Sequence, residues 1–432
     1  MRNEQLSIII LSFIFFCAAS CSNSAPTSAT SQTHQDETRV NAPENTTDGA
    51  FIYESEQGRL LSEIQSNSSS ADGSVTTEFH PWSYEPVCTE FLEGLDNQLC
   101  VYTNATFSNG RGVSIFTTPQ IAEEFAALLP FQDPSVLSDH GINSPDRPWY
   151  TRELPGKGLG VLAKHQMKRG DLIAAYTPYL LAHMENVLST PEREKYLRLA
   201  VDQLPATSRE QYFSLATIYG EPSVIVQDVV KANAFEMQVG GQMHLAVFPE
   251  TSRMNHACGP NAQYYLEPSL LTHYVHAARD IFEDEEITIS YSPPLQFHAA
   301  RRQYLKDSFH FTCTCPRCQN GELSDRAVND IHALQWSLGN WESNSTASVK
   351  KAEMLVRLYK EEGLDAFLDV AYGHAALTYN AVGSARGAMK YAKLSVEAAL
   401  LKYGPSAPDL EIWNELIRNP RGHSSWRRRK NN

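Results

Sequence analysis

Through the middle of the chain, apolar residues come in short runs punctuated by glycine and proline. Toward the end they recur at three and four spacing. Gly158-Leu159-Gly160-Val161-Leu162-Ala163 reads as a strand entered through a glycine turn, and Asp171-Leu172-Ile173-Ala174-Ala175-Tyr176 as a second strand. Together they suggest a β-hairpin region. Residues 191–218, with Pro191 and Pro205 among mixed-spacing Leu, Glu, Arg and Lys, predict two helices inserted before the next β segment. Tyr274–Ala277 and Glu286–Tyr291 predict further strands, the second stopped by Pro293-Pro294. From about Ser324 the pattern is helical and alanine-rich. Ala371, Ala375, Ala388 and Ala392, with a turn at Gly383, outline one weakly tetratricopeptide-like helical pair. The expected class is α+β: small β-sheets with inserted helices, then an α-helical C-terminal region.

The first residues follow a different pattern. One Arg precedes an apolar run from Leu6 to Phe16 and small residues at Ala18, Ala19 and Ser20, the outline of a secretory signal peptide over 1–20. The run is shorter than the ~20 residues of a membrane span, so no stable span is expected. The address this implies is the secretory pathway; the alternative, if the signal does not function, is the nucleus or cytoplasm. Residues 21–79 are rich in Ser, Thr, Asn, Gln, Asp and Glu, too poor in apolar groups to offset ordering entropy, and read as a disordered arm. Sequons begin at Asn45, Asn67, Asn104 and Asn344, usable only in that pathway. Residues 80–147 form an N-terminal leader region. Within it, Cys88 and Cys100 are spaced for a disulfide in an oxidising compartment; two buried thiols are the alternative. The basic Trp426-Arg427-Arg428-Arg429-Lys430 reads as a solvated tail.

With 432 residues the chain exceeds a single minimal domain. Its formal charge of −14 argues against a general phosphate-binding surface, so direct nucleic-acid binding is not expected and a basic substrate is attracted instead. The run Glu283-Asp284-Glu285-Glu286 reads as a solvated turn that also serves to steer such a substrate.

The densest chemistry lies in Cys313-Thr314-Cys315-Pro316-Arg317-Cys318. Three thiols this close cannot all pair among themselves, but they can face one cation, and Cys258 supplies the fourth soft ligand of a tetrahedral zinc site. Such a site would clip the C-terminal segment onto the loop containing Asn255 and His256.

Four blocks in order then carry a resemblance: Gly158-Leu159-Gly160; Asn255-His256-Ala257-Cys258-Gly259-Pro260-Asn261; Glu285-Glu286-Ile287-Thr288-Ile289-Ser290-Tyr291; and Phe311-Thr312-Cys313-Thr314-Cys315-Pro316-Arg317-Cys318. The chain resembles SET-domain protein lysine methyltransferases of the SET and MYND-related type over about residues 148–320, as a SET plus post-SET domain followed by a helical region over 321–432. The segment CVYTNATFSNGRGVSIFTT is similar to the leader of fungal SET proteins that begin with a signal peptide. The Cys/His cluster of a MYND finger is missing between Gly160 and Phe248.

The resemblance implies S-adenosylmethionine and zinc as cofactors and a lysine-bearing protein, such as a histone, as substrate. It implies that the backbone of Gly158, Leu159 and Gly160 approaches S-adenosylmethionine and that Asn233 also binds it. Asn255 and His256 would hold the amino-acid and adenine portions, and Phe311 would stack on the adenine. Phe235 would line the lysine channel, and Tyr291 would be the catalytic residue. The zinc ligands would be Cys258, Cys313, Cys315 and Cys318. Two alternatives stay open: a catalytically weak SET scaffold that binds proteins, and a methyltransferase acting on a non-protein amine.

Overall fold

Residues 79–342 and 344–429 are described by the computed structural model. The signal segment, almost all of the arm, Cys17, Cys21, Asn45, Asn67 and Lys430 lie outside the described residues. Among the described residues no helix is long and apolar enough to cross a membrane.

Among the described residues twelve strands make three sheets. In chain order they are β1 (Val87–Cys88), β2 (Cys100–Asn104), β3 (Val113–Thr117), β4 (Trp149–Leu154), β5 (Gly158–Ala163), β6 (Leu172–Tyr176), β7 (Leu180–His183), β8 (Ala234–Val239), β9 (Gln242–Val247), β10 (Ala262–Glu267), β11 (Thr272–Ala277) and β12 (Glu286–Ile287). The largest sheet runs β1-β2-β3-β7-β9-β8, and two three-stranded sheets run β10-β11-β6 and β12-β5-β4.

The leader is therefore built into the β core. Its β3 pairs in parallel with β7, and every residue of β3 is buried. A bidentate ion pair reinforces the join: Arg111 Nη1 and Nη2 donate to Glu250 at 2.9 and 2.7 Å. Burial penalises the Glu250 charge, but the charge and hydrogen bonds of Arg111, with attraction to Arg147, outweigh it and hold the carboxyl below its ordinary range. Cys88 and Cys100 face each other across β1 and β2 and are joined by a disulfide.

Two sequence expectations change here. The strands at 158–163 and 172–176 do not form a hairpin. The tight turn after Leu154 instead pairs β5 with β4, while β6 takes β11 as its partner. Likewise, Glu286–Tyr291 is not one strand: only Glu286 and Ile287 join β5, and Ile289 then runs parallel to His256 as an isolated bridge. That switch of partner brings Tyr291 beside the Asn-His loop.

Helices Thr190–Asp202 and Ala206–Phe213 occupy the predicted insert, and a third, Ile225–Asn233, follows them. The first starts with a capping box in which Ser189 and Glu192 satisfy each other's backbone N–H groups. Beyond the cysteine segment, Gly321–Gly339, Val349–Glu361, Leu368–Ala381 and Ala385–Tyr403 share one apolar core. Ala371, Ala375, Ala388 and Ala392 are fully buried, so the last two of these helices approach closely. The basic tail is not solvated at Arg429. That side chain is 4% exposed, donates to Leu338 O at 2.9 Å and covers the Trp341 ring at 3.8 Å. Stacking on an indole and two backbone acceptors replace the water expected around a terminal cation.

Candidate active site

Three pieces of chain converge: the β4–β5 turn, the loop from Met254 to Asn261 with the segment after β12, and the segment from Phe309 to Cys318. Gly158 has φ +69°, a left-handed conformation open to glycine, and a Cβ there would project into open space. Gly160 is required for a different reason. A Cβ on it would lie 2.3 Å from Leu154 Cδ1 and 3.1 Å from Asn255 Nδ2, so its bare backbone lets Asn255 close on β5. Asn255 Nδ2 donates to Leu159 O at 3.3 Å and to Glu286 Oε1 at 3.0 Å.

His256 sits between two chemistries. Its Nδ1 accepts the backbone N–H of Tyr291 at 2.9 Å, and its Nε2 lies 3.2 Å from Cys258 Sγ. Burial lowers its pKa to about 4, which leaves the ring neutral. Because Nδ1 is an acceptor, the proton resides on Nε2 and is directed at the sulfur. His256 is thus joined through its side chain to the thiol cluster and the tyrosine strand. Its own amide and carbonyl are available on the opposite side, since the bridge to Ile289 uses Asn255 O and Ala257 N.

The ring of Tyr291 lies 5.3 Å from His256, 5.0 Å from Phe309 and 6.4 Å from Phe311. Its hydroxyl donates to Met254 O at 2.7 Å. Burial, the Glu286 charge and Tyr264 all raise its pKa, so the hydroxyl remains protonated. Phe311 also lies 6.1 Å from His256.

Phe235 stands farther back. It packs on Tyr264 at 5.3 Å, and both rings border the same apolar cluster as Tyr291. Behind them His273 lies 4.3 Å from Phe235 and 4.8 Å from Tyr264. Asn233 is buried at a helix end, where its Nδ2 donates to Ala216 O and Val229 O, both at 2.8 Å. Its backbone oxygen accepts from Ser252 Oγ at 3.0 Å, which ties it to the turn preceding Asn255.

Cys258, Cys313, Cys315 and Cys318 bring their sulfur atoms within 4.8 Å of one another. Cys258 Sγ lies 3.6 Å from that of Cys318 and 4.0 Å from that of Cys313. Four thiolates at ~2.3 Å from a zinc ion stand about 3.8 Å apart, so the cluster has the size and donor type for zinc. Hydrogen bonds among the thiols push Cys258 up and hold Cys315 down; a shared cation would allow all four to ionise.

Arg317, within the cysteine run, donates to Cys258 O at 2.8 Å, Pro294 O at 2.9 Å and Glu362 Oε2 at 2.9 Å. The C-terminal helices are thereby fastened to the thiol loop.

Residues 158–292 match the SET domain family model. Over that segment the chain carries a SET domain, and its similarity to lysine methyltransferases supports protein-lysine N-methyltransferase activity. It is 25% identical over 280 residues to histone-lysine N-methyltransferase set5 of Schizosaccharomyces pombe, an alignment covering 63% of this chain and 84% of that protein. It is 43% identical over 96 residues to the SET domain-containing protein SmydA-8, isoform A, of Drosophila melanogaster, covering 21% of each. Identity is 37% over 97 residues to human histone-lysine N-methyltransferase SMYD3, covering 22% of this chain and 21% of the human protein. The chain thus spans most of the fission-yeast relative and about a fifth of the other two.

Four residues in contact with the predicted site positions or with one another are given no site role by the sequence: Tyr264 packs on Phe235, Phe309 on Tyr291, Glu286 holds Asn255 and Lys157 holds Glu286. Phe309 stands two residues before Phe311, and Tyr264 alternates with Ala262 on β10, the only signals available for them. Glu286 corrects the acidic run: it is 18% exposed on its side chain and held by Lys157 Nζ at 2.6 Å. Glu285 is also engaged, accepting from Arg279 at 2.7 Å and Asn261 at 3.1 Å. A β-ladder and two cationic side chains turn half of the expected solvated turn into structure.

Proposed function

We propose that this SET domain transfers a methyl group from S-adenosylmethionine to the side-chain amine of a lysine in a protein substrate. The observation that carries the reading is the placement of Tyr291, its hydroxyl on Met254 O, among aromatic rings and against His256.

When bound, S-adenosylmethionine supplies an electrophilic methyl group on a sulfonium. The residues fit this group: a glycine turn with open space above Gly158, an asparagine amide fixed beside it, and aromatic faces at Phe311. Gly158 to Gly160 and Asn255 would receive its amino-acid end. The backbone of His256 and the ring of Phe311 would receive the adenine. Asn233, with its amide nitrogen committed, would contribute through its oxygen.

Methyl transfer to an amine is an in-line displacement, for which alignment supplies up to about 7–11 kcal/mol. The chain's contribution would be the aromatic rings of Tyr291, Tyr264, Phe309 and Phe235, which would exclude water and hold the lysine stem. Exclusion of water disfavours an ammonium ion, so the amine sheds its proton more readily than at its reference pKa of about 10.4. The protonated Tyr291 hydroxyl presents its oxygen lone pairs at the reacting end. Cys258, Cys313, Cys315 and Cys318 would hold a structural zinc, with no place left for a reacting molecule.

The net charge of −14 supports a basic protein substrate, and two of the similar proteins carry histone-lysine methyltransferase in their names. Passage through an oxidising compartment belongs to the same proposal and is supported by the Cys88–Cys100 disulfide.

The test is incubation of the protein with methyl-labelled S-adenosylmethionine and a panel of histones and secreted proteins, beside a Tyr291→Phe control. Label on lysine that depends on Tyr291 is expected. Cofactor binding without transfer to any protein would leave a binding scaffold instead, and label on small amines alone would replace the protein substrate.

A further inference from the structure

The amide of Asn255 has a determined orientation. Its Nδ2 faces two acceptors, Leu159 O at 3.3 Å and Glu286 Oε1 at 3.0 Å. Rotating the amide by half a turn would set Oδ1 against a carbonyl and a carboxylate, three acceptors with no hydrogen among them. Glu286 therefore decides which end of the Asn255 side chain faces the glycine turn.

Glu286 is itself held in place twice. Its backbone belongs to β12 and pairs opposite Leu162 of β5. Its second carboxylate oxygen, Oε2, lies 2.6 Å from Lys157 Nζ, in the residue before Gly158. Lys157 and Asn255 thus grip the two oxygens of one carboxylate, and the side chain is mostly withdrawn from water. Charge-assisted contacts of this kind are stronger and more directional than neutral ones.

We propose that Glu286 is a positioning residue for the amino-acid end of the cofactor. By holding Asn255 Nδ2, it leaves Asn255 Oδ1 as the acceptor for an ammonium group above Gly158. Its carboxylate also adds negative potential where that ammonium would sit. The inference rests on the function proposed above and assigns a role to a residue outside the glycine, Asn-His and tyrosine positions.

The distinguishing property is selectivity within the ligand. A residue that only supports the fold would alter affinity for every adenosine ligand alike. One that orients Asn255 toward an ammonium alters affinity only for ligands that carry one.

Calorimetric titration of the full chain with S-adenosylhomocysteine and with 5′-methylthioadenosine, which lacks the amino-acid end, separates these roles. Glu286→Ala should bind S-adenosylhomocysteine about 10- to 100-fold more weakly, the loss expected when a charge-assisted contact worth about 1.5–3 kcal/mol is removed. It should bind 5′-methylthioadenosine like the unaltered protein. Glu286→Gln, able to offer an oxygen to Asn255 Nδ2 but no charge to Lys157, should fall between. In turnover assays the KM for S-adenosylmethionine should rise while kcat changes little. Exposed Glu283, replaced by Gln, serves as the control and should change neither affinity.

Equal S-adenosylhomocysteine affinity in Glu286→Ala and the unaltered protein would overturn the proposal. So would parallel loss of both ligands. If the unaltered protein binds neither ligand, the proposed function itself falls, and this inference falls with it.

Discussion

The Nδ1 atom of His256 accepts the backbone N–H of Tyr291 at 2.9 Å. Through Nε2 the same ring reaches Cys258 Sγ at 3.2 Å. One neutral imidazole therefore links the cysteine cluster to the segment that carries Tyr291. Stripping metal from the cluster should be felt at Tyr291. The purified protein should contain about one zinc per chain, and a chelator should lower its thermal midpoint and abolish transfer together. Metal analysis and a melting curve before and after chelation check this. Full activity in metal-free protein would contradict it.

Tyr291 places its hydroxyl 2.7 Å from Met254 O, in a ring environment that Phe can fill. Tyr291→Phe should fold and bind S-adenosylhomocysteine normally. Its turnover should fall by about 100-fold or more, the scale on which a single preorganised polar group acts in catalysis. Single-turnover kinetics beside calorimetry measures the two effects separately.

Gly259 lies in the thiol loop where the end of the helix Val349–Glu361 comes closest. A Cβ on Gly259 would stand 2.9 Å from Gly363 O and 3.1 Å from Glu362 O, both backbone atoms that cannot swing away. Gly259→Ala should reduce the free energy of unfolding by about 1–3 kcal/mol, as overpacking does. Denaturant titration reads that loss. An unchanged midpoint would mean that the helical region is not seated on the thiol loop.

Two buried histidines away from the cysteines give the fold an acid limit. His244, facing His183, Phe125 and Thr117 Oγ1, has its pKa lowered to about 4 by burial and then by the His183 charge. His273, enclosed by Phe235, Phe248, Tyr264 and Thr251 Oγ1, is lowered by burial to about 3. Both titrate near 6.5 when unfolded, so the unfolded chain binds more protons between these values. Their contribution is complete above pH 6.5 and is lost as pH falls toward the folded values, at about 1.4 kcal/mol per histidine per pH unit. Chemical denaturation at pH 7.5, 6 and 5 should show this decline, and paired His244→Gln and His273→Gln substitutions should make it shallower.

Much of this protein can be read without coordinates, for reasons particular residues make plain. The glycines at 158 and 160, the Asn255-His256 pair and the three clustered thiols are local signals, because close backbone approach and metal binding demand specific residue types in short spacing. The alanine positions 371, 375, 388 and 392 likewise mark two closely packed helices.

Local pattern alone supplied the inventory: an α+β chain, a cysteine set suited to zinc and a helical C-terminal region. Only tertiary structure decided the partnerships. β5 leaves the expected hairpin for β4 and β12, and Ile289 crosses to the Asn-His loop. Arg429 finds Trp341, and Glu286 turns from solvent to Lys157 and Asn255. Apart from the local β4–β5 hairpin, each of these contacts joins residues far apart in the chain, and no local period or propensity encodes which distant backbone or charge will be there to meet them.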